Sequence, residues 1–155
     1  MAKTLARRFQ TTWVPEYARY YIDQLNRPYQ FEDIEIMAKG QKKWEEQKAE
    51  EARDLLFCDT DFIVTKIWSE FVFKKCSPWI QHQVETHVYD LYLLMDIDLP
   101  WSDDPQREHP HKRTELFEIY KQELVDNNFA FRIVSGIGEA RVHNAVDALS
   151  QFIDI

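Results

Sequence analysis

Apolar residues recur at two spacings along the chain, and stretches with the two spacings alternate. Apolar positions three or four residues apart predict amphipathic helices, whereas short unbroken apolar runs between them predict buried strands. The stretch 96–112 has three prolines, many charges and no periodicity, which predicts a long loop. The predicted helices are 1–9, 15–25, 31–53, 64–72, 78–86, 113–125 and 142–153, and the predicted strands are 11–14, 55–58, 89–95 and 130–134.

Short strands separated by helices indicate a parallel sheet, because parallel neighbours need crossover connections that place helices on both faces. The pattern therefore predicts one α/β domain over residues 1–155, without an internal repeat. Ligands of such sheets bind beyond the carboxyl ends of the strands. Polar residues follow all four predicted strands, namely Glu16, Asp59 with Asp61, Asp96 with Asp98, and Ser135 with Gly136.

The composition of the chain argues against some classes of binding partner. The 155 residues are 45% hydrophobic, which is typical of a globular protein, and the formal net charge is −8. This charge argues against a nucleic-acid or anionic-membrane partner, because both would be repelled over most of the surface. No apolar run approaches the roughly 18 to 20 residues of a membrane span, and no secretion signal is recognisable, so we expect a cytoplasmic protein.

The run LLFCDTDF, residues 55–62, ends a predicted buried strand with two acids, Asp59 and Asp61. One interpretation is structural, since an Asp or Thr here would cap the helix that begins near Phe62. Capping requires only one such residue, however. We therefore favour a functional interpretation, in which the two carboxylates hold a hydrated Mg²⁺ or act as a base on a hydroxyl group near phosphates.

Two enzyme classes place acids at a strand end in this way. The letters DTDFI come close to the DxDx[TV] motif of haloacid-dehalogenase-type phosphatases, with Ile63 where Thr or Val is usual. In those enzymes the motif follows the first strand, whereas here more than fifty residues precede Asp59. The other class, the P-loop kinases, needs a GxxxxGK[ST] loop, and none of the three glycines, Gly40, Gly136 and Gly138, belongs to one.

Five ordered stretches resemble one family: TTWVPEYARYY, YQFEDIEIMAKGQ, FCDTDFIVTKIW, YDLYLLMDIDLPWSDDPQRE and RTELFEIYKQEL. The chain is similar, over essentially its whole length, to the ribosylnicotinamide kinase domain of NadR-type proteins and its stand-alone relatives, AAA-type ATPases of the P-loop superfamily. The resemblance implies a P-loop NTPase-like three-layer α/β sandwich that uses ATP and Mg²⁺. It implies a nucleoside kinase that converts nicotinamide riboside to nicotinamide mononucleotide in NAD salvage.

The family pattern also predicts a gap. Its members begin with a central strand and the GxxxxGK[ST] loop, and both would lie upstream of Met1. We therefore expect an N-terminally incomplete domain that is a kinase only together with that loop. A sheet without its central strand would leave edges unpaired, which is compatible with a homo-oligomer. The alternative is a non-catalytic nucleotide-binding or interaction module of the same fold.

Carried over to this sequence, the resemblance implies roles for residues after the first two strands. Asp59 and Asp61 would bind Mg²⁺ or orient the 5′-hydroxyl of the riboside, with the division of roles undecided.

On the nucleoside side, Glu16 and Arg19 lie where the pocket is expected. Trp13 or Tyr17 would offer an aromatic surface to a cationic pyridinium, and Gln41 would face the same cleft. Ordinary core packing is an equally good interpretation of Trp13.

In the second half of the chain, the resemblance identifies 96–112 as a lid. Arg107 is the candidate to clamp phosphates, and Arg113 could substitute for it. The stretch SGIGEAR resembles the adenine-side loop, with Ser135, Gly136 and Arg141 as contacts. A solvated helix face is the alternative interpretation of Arg141.

Overall fold

The computed structural model describes residues 1–87, 89–98 and 112–153. The chain divides into two compact units, Met1–His87 (unit 1) and Val88–Ile155 (unit 2). Among the described helices, none combines the length and the apolar character needed to cross a membrane. The elements in chain order are α1 Ala2–Arg8, β1 Trp13–Val14, α2 Tyr17–Gln24, α3 Phe31–Glu51, β2 Phe57–Cys58, α4 Phe62–Phe73, α5 Pro78–Thr86, β3 Tyr92–Met95, α6 Arg113–Asp126, β4 Phe131–Val134 and α7 Glu139–Ser150.

Both units contain a parallel pair of strands. In unit 1, β1 pairs with β2 so that Trp13 lies opposite Phe57, and in unit 2, β3 pairs with β4 so that Tyr92 lies opposite Phe131. Each pair is joined by a helical crossover, as parallel strands require. The mixed α/β class and the parallel pairing are therefore confirmed. The single three-layer sheet and the single domain over 1–155 stay predictions.

The predicted elements all form, with differences at their ends. Helix α5 has the predicted bounds, because Pro78 occupies its first position and the Ser77 hydroxyl accepts the Ile80 N–H at 3.2 Å. The prediction that α2 begins at Pro15 is wrong, since the helix begins at Tyr17. Glu16 has an extended backbone, with φ −68° and ψ 105°, so the strand conformation continues past the proline.

Helix α3 supplies one wall of the unit 1 core. A glycine in the middle of a 21-residue helix is unfavourable, and Gly40 is explained by its neighbour. A Cβ atom at this position would lie 2.1 Å from Cε1 of the Tyr17 ring, so the glycine lets α2 pack closely onto α3. The largest fully buried apolar side chains of unit 1 are Phe62, Leu5, Ile34, Ile67, Ile80 and Val14.

A buried carboxylate joins α2 to α3. Asp33 is 1% exposed and accepts hydrogen bonds from both terminal nitrogens of Arg27, at 2.7 and 2.9 Å. The Tyr21 hydroxyl and the Gln30 N–H also donate to it, each at 2.7 Å. The Arg27 guanidinium, assisted by the Gln30 N–H and the Tyr21 hydroxyl, holds the pKa of Asp33 well below its usual range. The Asp33 side chain therefore holds α2, the connecting residues and the start of α3 together.

In unit 2, several residues that are predicted to lie on buried helix faces are only partly buried or are exposed. The helical spacing of 113–125 predicts a buried face of Leu116, Phe117, Tyr120 and Leu124; only Leu124 is buried, and the other three are half-buried. The spacing of 142–153 predicts that Phe152 is buried, which is wrong because this residue is 38% exposed. The reason is that α7 ends at Ser150, so the helical spacing no longer places Phe152 on the buried face. The buried residues of α7 are Arg141, Ala145, Ala148 and Leu149.

Replacing Asp33 by Asn should lower the free energy of unfolding at pH 7 by about 2 to 3 kcal/mol, because Arg27 loses its ionic partner. Since the folded-state pKa is depressed, this stabilisation is present above the unfolded-state pKa of about 4 and is lost as the pH falls below it. Urea denaturation at several pH values measures the difference. The exposed neighbour Glu32, changed to Gln, is the control, and an equal effect of both changes would contradict the assignment.

Candidate functional site

The chain turns sharply between β2 and α4, and this turn carries the two predicted acids. Asp61 is the N-cap of α4, with the Val64 N–H donating to its Oδ1 at 2.9 Å. Thr60 has φ +119°, a backbone conformation that is strained for a β-branched residue. Asp59 is exposed. The turn thus holds one acid against the helix and presents the other to solvent.

The two acids differ in their electrostatic environment. Burial raises the pKa of Asp61 to about 6, and the negative charge of Glu45 adds to this, while the N–H groups of Val64 and Ile63 oppose it. Burial also raises the pKa of the neighbouring Cys58 thiol, which makes this cysteine a poor nucleophile. Asp61 therefore titrates near the pH range in which a general base works.

The residues after β1 form a second cluster. Glu16 and Arg19 make an ion pair with a distance of 2.8 Å between Oε2 and Nε. Trp13 is half-buried, and the Lys3 ammonium lies 5.8 Å from its ring. The Tyr17 ring packs edge-on against Trp44 with centroids 4.7 Å apart. The structure thus brings Glu16 and Arg19 together and places the Tyr17 ring between α2 and α3.

A groove beside this cluster was not predicted from the sequence. Trp44 lines it together with two acids and one lysine, and the Lys48 ammonium is paired with Glu51 at 2.6 Å. The apolar spacing of 31–53 predicts that Trp44 lies on the buried face of α3, and this spacing gives no sign that the residue also lines a groove. The residues lining the groove are Pro15, Trp44, Gln47, Lys48, Glu50 and Glu51.

Gln41 is predicted to face the substrate, and its side-chain amide makes hydrogen bonds within the protein. Its Oε1 accepts the Tyr17 N–H at 2.9 Å, and its Nε2 donates to Glu45 at 3.2 Å. His87 approaches the other oxygen of Glu45 at 2.8 Å. Sequence reasoning missed Glu45 and His87. The available signal was a charged residue four positions after Gln41 on the apolar face of α3.

In unit 2, a buried arginine joins the ends of β3 and β4. Arg141 donates to the Gly136 carbonyl at 2.7 Å and the Asp96 carbonyl at 3.1 Å, and it pairs with Asp98. The solvated interpretation of Arg141 is wrong, because this residue is 7% exposed. Position 136 favours glycine, because its φ of +101° is strained for residues with a side chain. The Gly136 N–H also donates to Asp98 at 2.6 Å.

The remaining predicted contacts are less constrained. Ser135 is exposed, and its carbonyl accepts the Asn144 side-chain amide at 3.0 Å. Arg113 donates to the Ile97 carbonyl at 3.2 Å. Arg107 and most of the predicted lid lie outside the described residues.

The donor set limits how a metal could bind. Within the part of the chain that the structure describes, no three His, Cys, Asp or Glu side chains are arranged to hold a metal ion. Mg²⁺ in phosphate-transfer sites commonly takes only one or two carboxylates and completes its shell with water and phosphate oxygens. The exposed Asp59 carboxylate could serve as such a single ligand. The described residues offer no full set of protein ligands for a metal ion.

Comparison with known proteins places the chain in a family. A family model described as "AAA domain" matches residues 1–141. The chain belongs to this AAA domain family. It is also similar to two proteins named "Trifunctional NAD biosynthesis/regulator protein NadR". The Escherichia coli (strain K12) protein is 26% identical over 139 residues, which are 84% of this chain and 33% of that protein.

The second relative is the protein of Salmonella typhimurium (strain LT2), which is 25% identical over 139 residues, with the same coverage of both chains. The chain thus spans about a third of the length of the curated relatives that it matches. The resemblance to NadR-type proteins, predicted from five motifs, is confirmed as a similarity that reaches through both units of this AAA domain.

Asp61→Asn should separate the structural role of this residue from its charge. Asn caps helices as well as Asp, and it lacks the carboxylate whose burial raises the pKa. At pH 7 the variant should be as stable as the wild type or up to about 2 kcal/mol more stable. Since the folded-state pKa is raised, wild-type stability falls as the pH rises from about 4 to about 6, so the difference between the two proteins should grow across this window.

Chemical denaturation at pH 4, 5, 6 and 7 measures this difference. Asp59→Asn, which changes an exposed acid two residues away, should show no such growth. A variant at Asp61 that is less stable than the wild type throughout this pH range would contradict the assigned burial cost.

Proposed function

We propose that this AAA domain is the nucleoside-binding part of an ATP-dependent nucleoside kinase. Its substrate would be nicotinamide riboside and its product nicotinamide mononucleotide, which makes it a cytoplasmic enzyme of NAD salvage. Similarity to two NadR proteins, whose name refers to NAD biosynthesis, supports this substrate class. The proposal is for phosphoryl transfer, in which positioning and electrostatic stabilisation supply most of the catalysis.

The observation that carries the proposal is the turn after β2. A strained Thr60 and a capping Asp61 hold two carboxylates in different environments at the carboxyl end of a parallel strand. Ligands of parallel α/β folds bind at that end. Backbone strain of this kind is retained where the surrounding structure enforces it, and such positions cluster at functional sites.

The two environments suggest a division of roles. Asp59 is exposed and would hold Mg²⁺ jointly with substrate phosphates. When bound, the ion would offset the negative charge on the transferring phosphoryl group. Asp61 has its pKa raised to about 6 and is oriented by the Val64 N–H, so it would accept a hydrogen bond from the attacking 5′-hydroxyl and orient it.

The groove lined by Trp44 supports the proposal that the substrate is a cationic nucleoside. An aromatic face attracts a cation, and the carboxylates of Glu50 and Glu51 outnumber the single ammonium of Lys48. The groove also borders Pro15, directly before the predicted substrate residue Glu16. A pyridinium ring with a fixed positive charge suits this lining better than an uncharged base.

The proposal assigns no phosphate loop within the 155 residues, because none of their three glycines belongs to a GxxxxGK[ST] motif. The same observation favours the second candidate, a non-catalytic nucleotide-binding or interaction module. The phosphatase alternative receives no support from the AAA domain match.

The natural gene product that contains this chain should transfer phosphate from ATP to nicotinamide riboside, as measured by formation of nicotinamide mononucleotide. Asp59→Asn and Asp61→Asn should each lower kcat/KM by about a thousandfold, because a metal ligand or the hydroxyl-orienting group is lost. Asp54→Asn, at an exposed acid before β2, is the matched control and should retain full activity.

Near-full activity in both variants would exclude this turn as the site. A wild-type protein that binds ATP or nicotinamide riboside in calorimetry and transfers no phosphate would support the non-catalytic module instead.

Trp44→Leu should raise KM for nicotinamide riboside about tenfold, since a cation–π contact contributes roughly 0.5 to 2 kcal/mol. The effect should be smaller for dihydronicotinamide riboside, whose ring is uncharged. The control is Trp79→Leu, which removes another half-buried tryptophan of unit 1, with Lys39 against its ring. Equal losses for the charged and uncharged nucleosides would show that Trp44 has only a packing role.

A further inference from the structure

Helix α3 carries a buried carboxylate, Glu45, to which the proposed chemistry assigns no contact with substrate. Its side chain is only 4% exposed. A buried carboxylate is costly unless it is paired, and the partners of Glu45 include the Gln41 amide at 3.2 Å and the His87 ring at 2.8 Å. The apolar face of a helix ordinarily carries no such group, so its presence requires an explanation.

Through Gln41, Glu45 is connected to the residues that follow β1. Gln41 Oε1 accepts the N–H of Tyr17, the first residue of α2, at 2.9 Å. Tyr17 directly follows Glu16, which the proposed function places in the nucleoside pocket. Glu45 therefore orients Gln41, and Gln41 anchors the backbone of this segment.

The His87 side leads to the chain after β2. His87 is the C-cap residue of α5, and its ring meets the Phe62 ring edge-on, with centroids 5.1 Å apart and planes at 86°. Phe62 is 1% exposed and directly follows Asp61. The position of His87 thus bears on the position of the acid-bearing turn.

The strands themselves cannot set these positions. The β1–β2 ladder contains two residue pairs, and the last of them joins Val14 to Cys58. Beyond it, the Asp59 N–H donates to the Val14 carbonyl at 2.8 Å, and the two chains then enter different helices. Side-chain contacts have to fix the spacing between Glu16 and Asp61.

We propose that Glu45 is a positioning residue that sets this spacing through Gln41 on one side and His87 on the other. The inference rests on the proposed kinase function, and it assigns Glu45 no contact with substrate. Catalysis by positioning is sensitive to small displacements, since a shift of about 1 Å can cost a hundredfold in rate. Each arm of the network should therefore affect a different kinetic constant.

The test uses the natural gene product with single substitutions. Gln41→Ala breaks the arm to Tyr17 and should raise KM for nicotinamide riboside about tenfold with little change in kcat. His87→Ala breaks the arm to Phe62 and should lower kcat about tenfold with little change in KM. Glu45→Ala should change both constants.

Rescue by a conservative variant separates positioning from simple packing. In Glu45→Gln the side-chain amide can accept from Gln41 and donate to the other tautomer of His87, so both constants should return to within about threefold of wild type. Glu46→Ala, at an exposed neighbour paired with Lys42, is the control and should change neither constant. Equal losses in kcat and KM for all three alanine variants at Gln41, Glu45 and His87, or no rescue by Gln, would overturn the proposal.

Amide hydrogen exchange provides a readout that does not depend on kinase activity. Glu45→Ala should speed exchange at Tyr17 and in the first turn of α4, 62–65, and Glu46→Ala should not. If the wild type transfers no phosphate, the proposed function fails, and the exchange rates still decide whether Glu45 fixes the two segments. Unchanged exchange at both segments would overturn the inference in either case.

Discussion

The transition from β2 to α4 is the constraint on which the site depends. A buried strand ends and a buried helix begins within three residues, so the first N–H groups of the helix need an acceptor from the turn itself. Asp61 supplies it, and the resulting backbone leaves Thr60 at a positive φ and Asp59 in solvent. One requirement of local structure thus gives Asp59 and Asp61 different environments, and the proposed phosphoryl-transfer site is based on this difference.

Helix α3 is the frame against which the other segments of unit 1 are placed. At its start Asp33 ties down the α2–α3 connection, and in its middle Gly40 leaves room for the Tyr17 ring. One turn later Glu45 contacts Gln41 and His87. These contacts are needed because the two-residue strands form too short a ladder to define the site alone.

Secondary structure was largely predictable, because periodicity and punctuation are local. Pro78 after Ser77 placed the start of α5, and the apolar run before Asp59 placed β2. The location of the candidate site at strand ends was also predictable, since it follows from parallel pairing. The start of α2 was not, because an extended Glu16 depends on its packing rather than on Pro15.

Contacts between residues that are far apart in the sequence could not be predicted from local patterns. Glu45 and His87 are 42 positions apart, and nothing in either local pattern indicates that they meet. Arg141 has the sequence context of a surface residue on a helix, and its burial results from carbonyl groups at the ends of two strands. Such pairs are set by tertiary structure, so a sequence can show that a buried charge is present without showing its partner.

Capping and catalysis are not competing interpretations of Asp61. A cap alone could be provided by Asn, Ser or Thr, none of which would bring an ionisable group into this turn. The chain instead has a carboxylate whose pKa burial raises to about 6, with the charge of Glu45 nearby, at a cost in stability above that pH. The cap does, however, fix the orientation of the carboxylate, and preorganised groups contribute most to catalysis. Under the proposed kinase function, a carboxylate that lowers stability as an ion is retained for its chemistry, and the cap fixes its orientation.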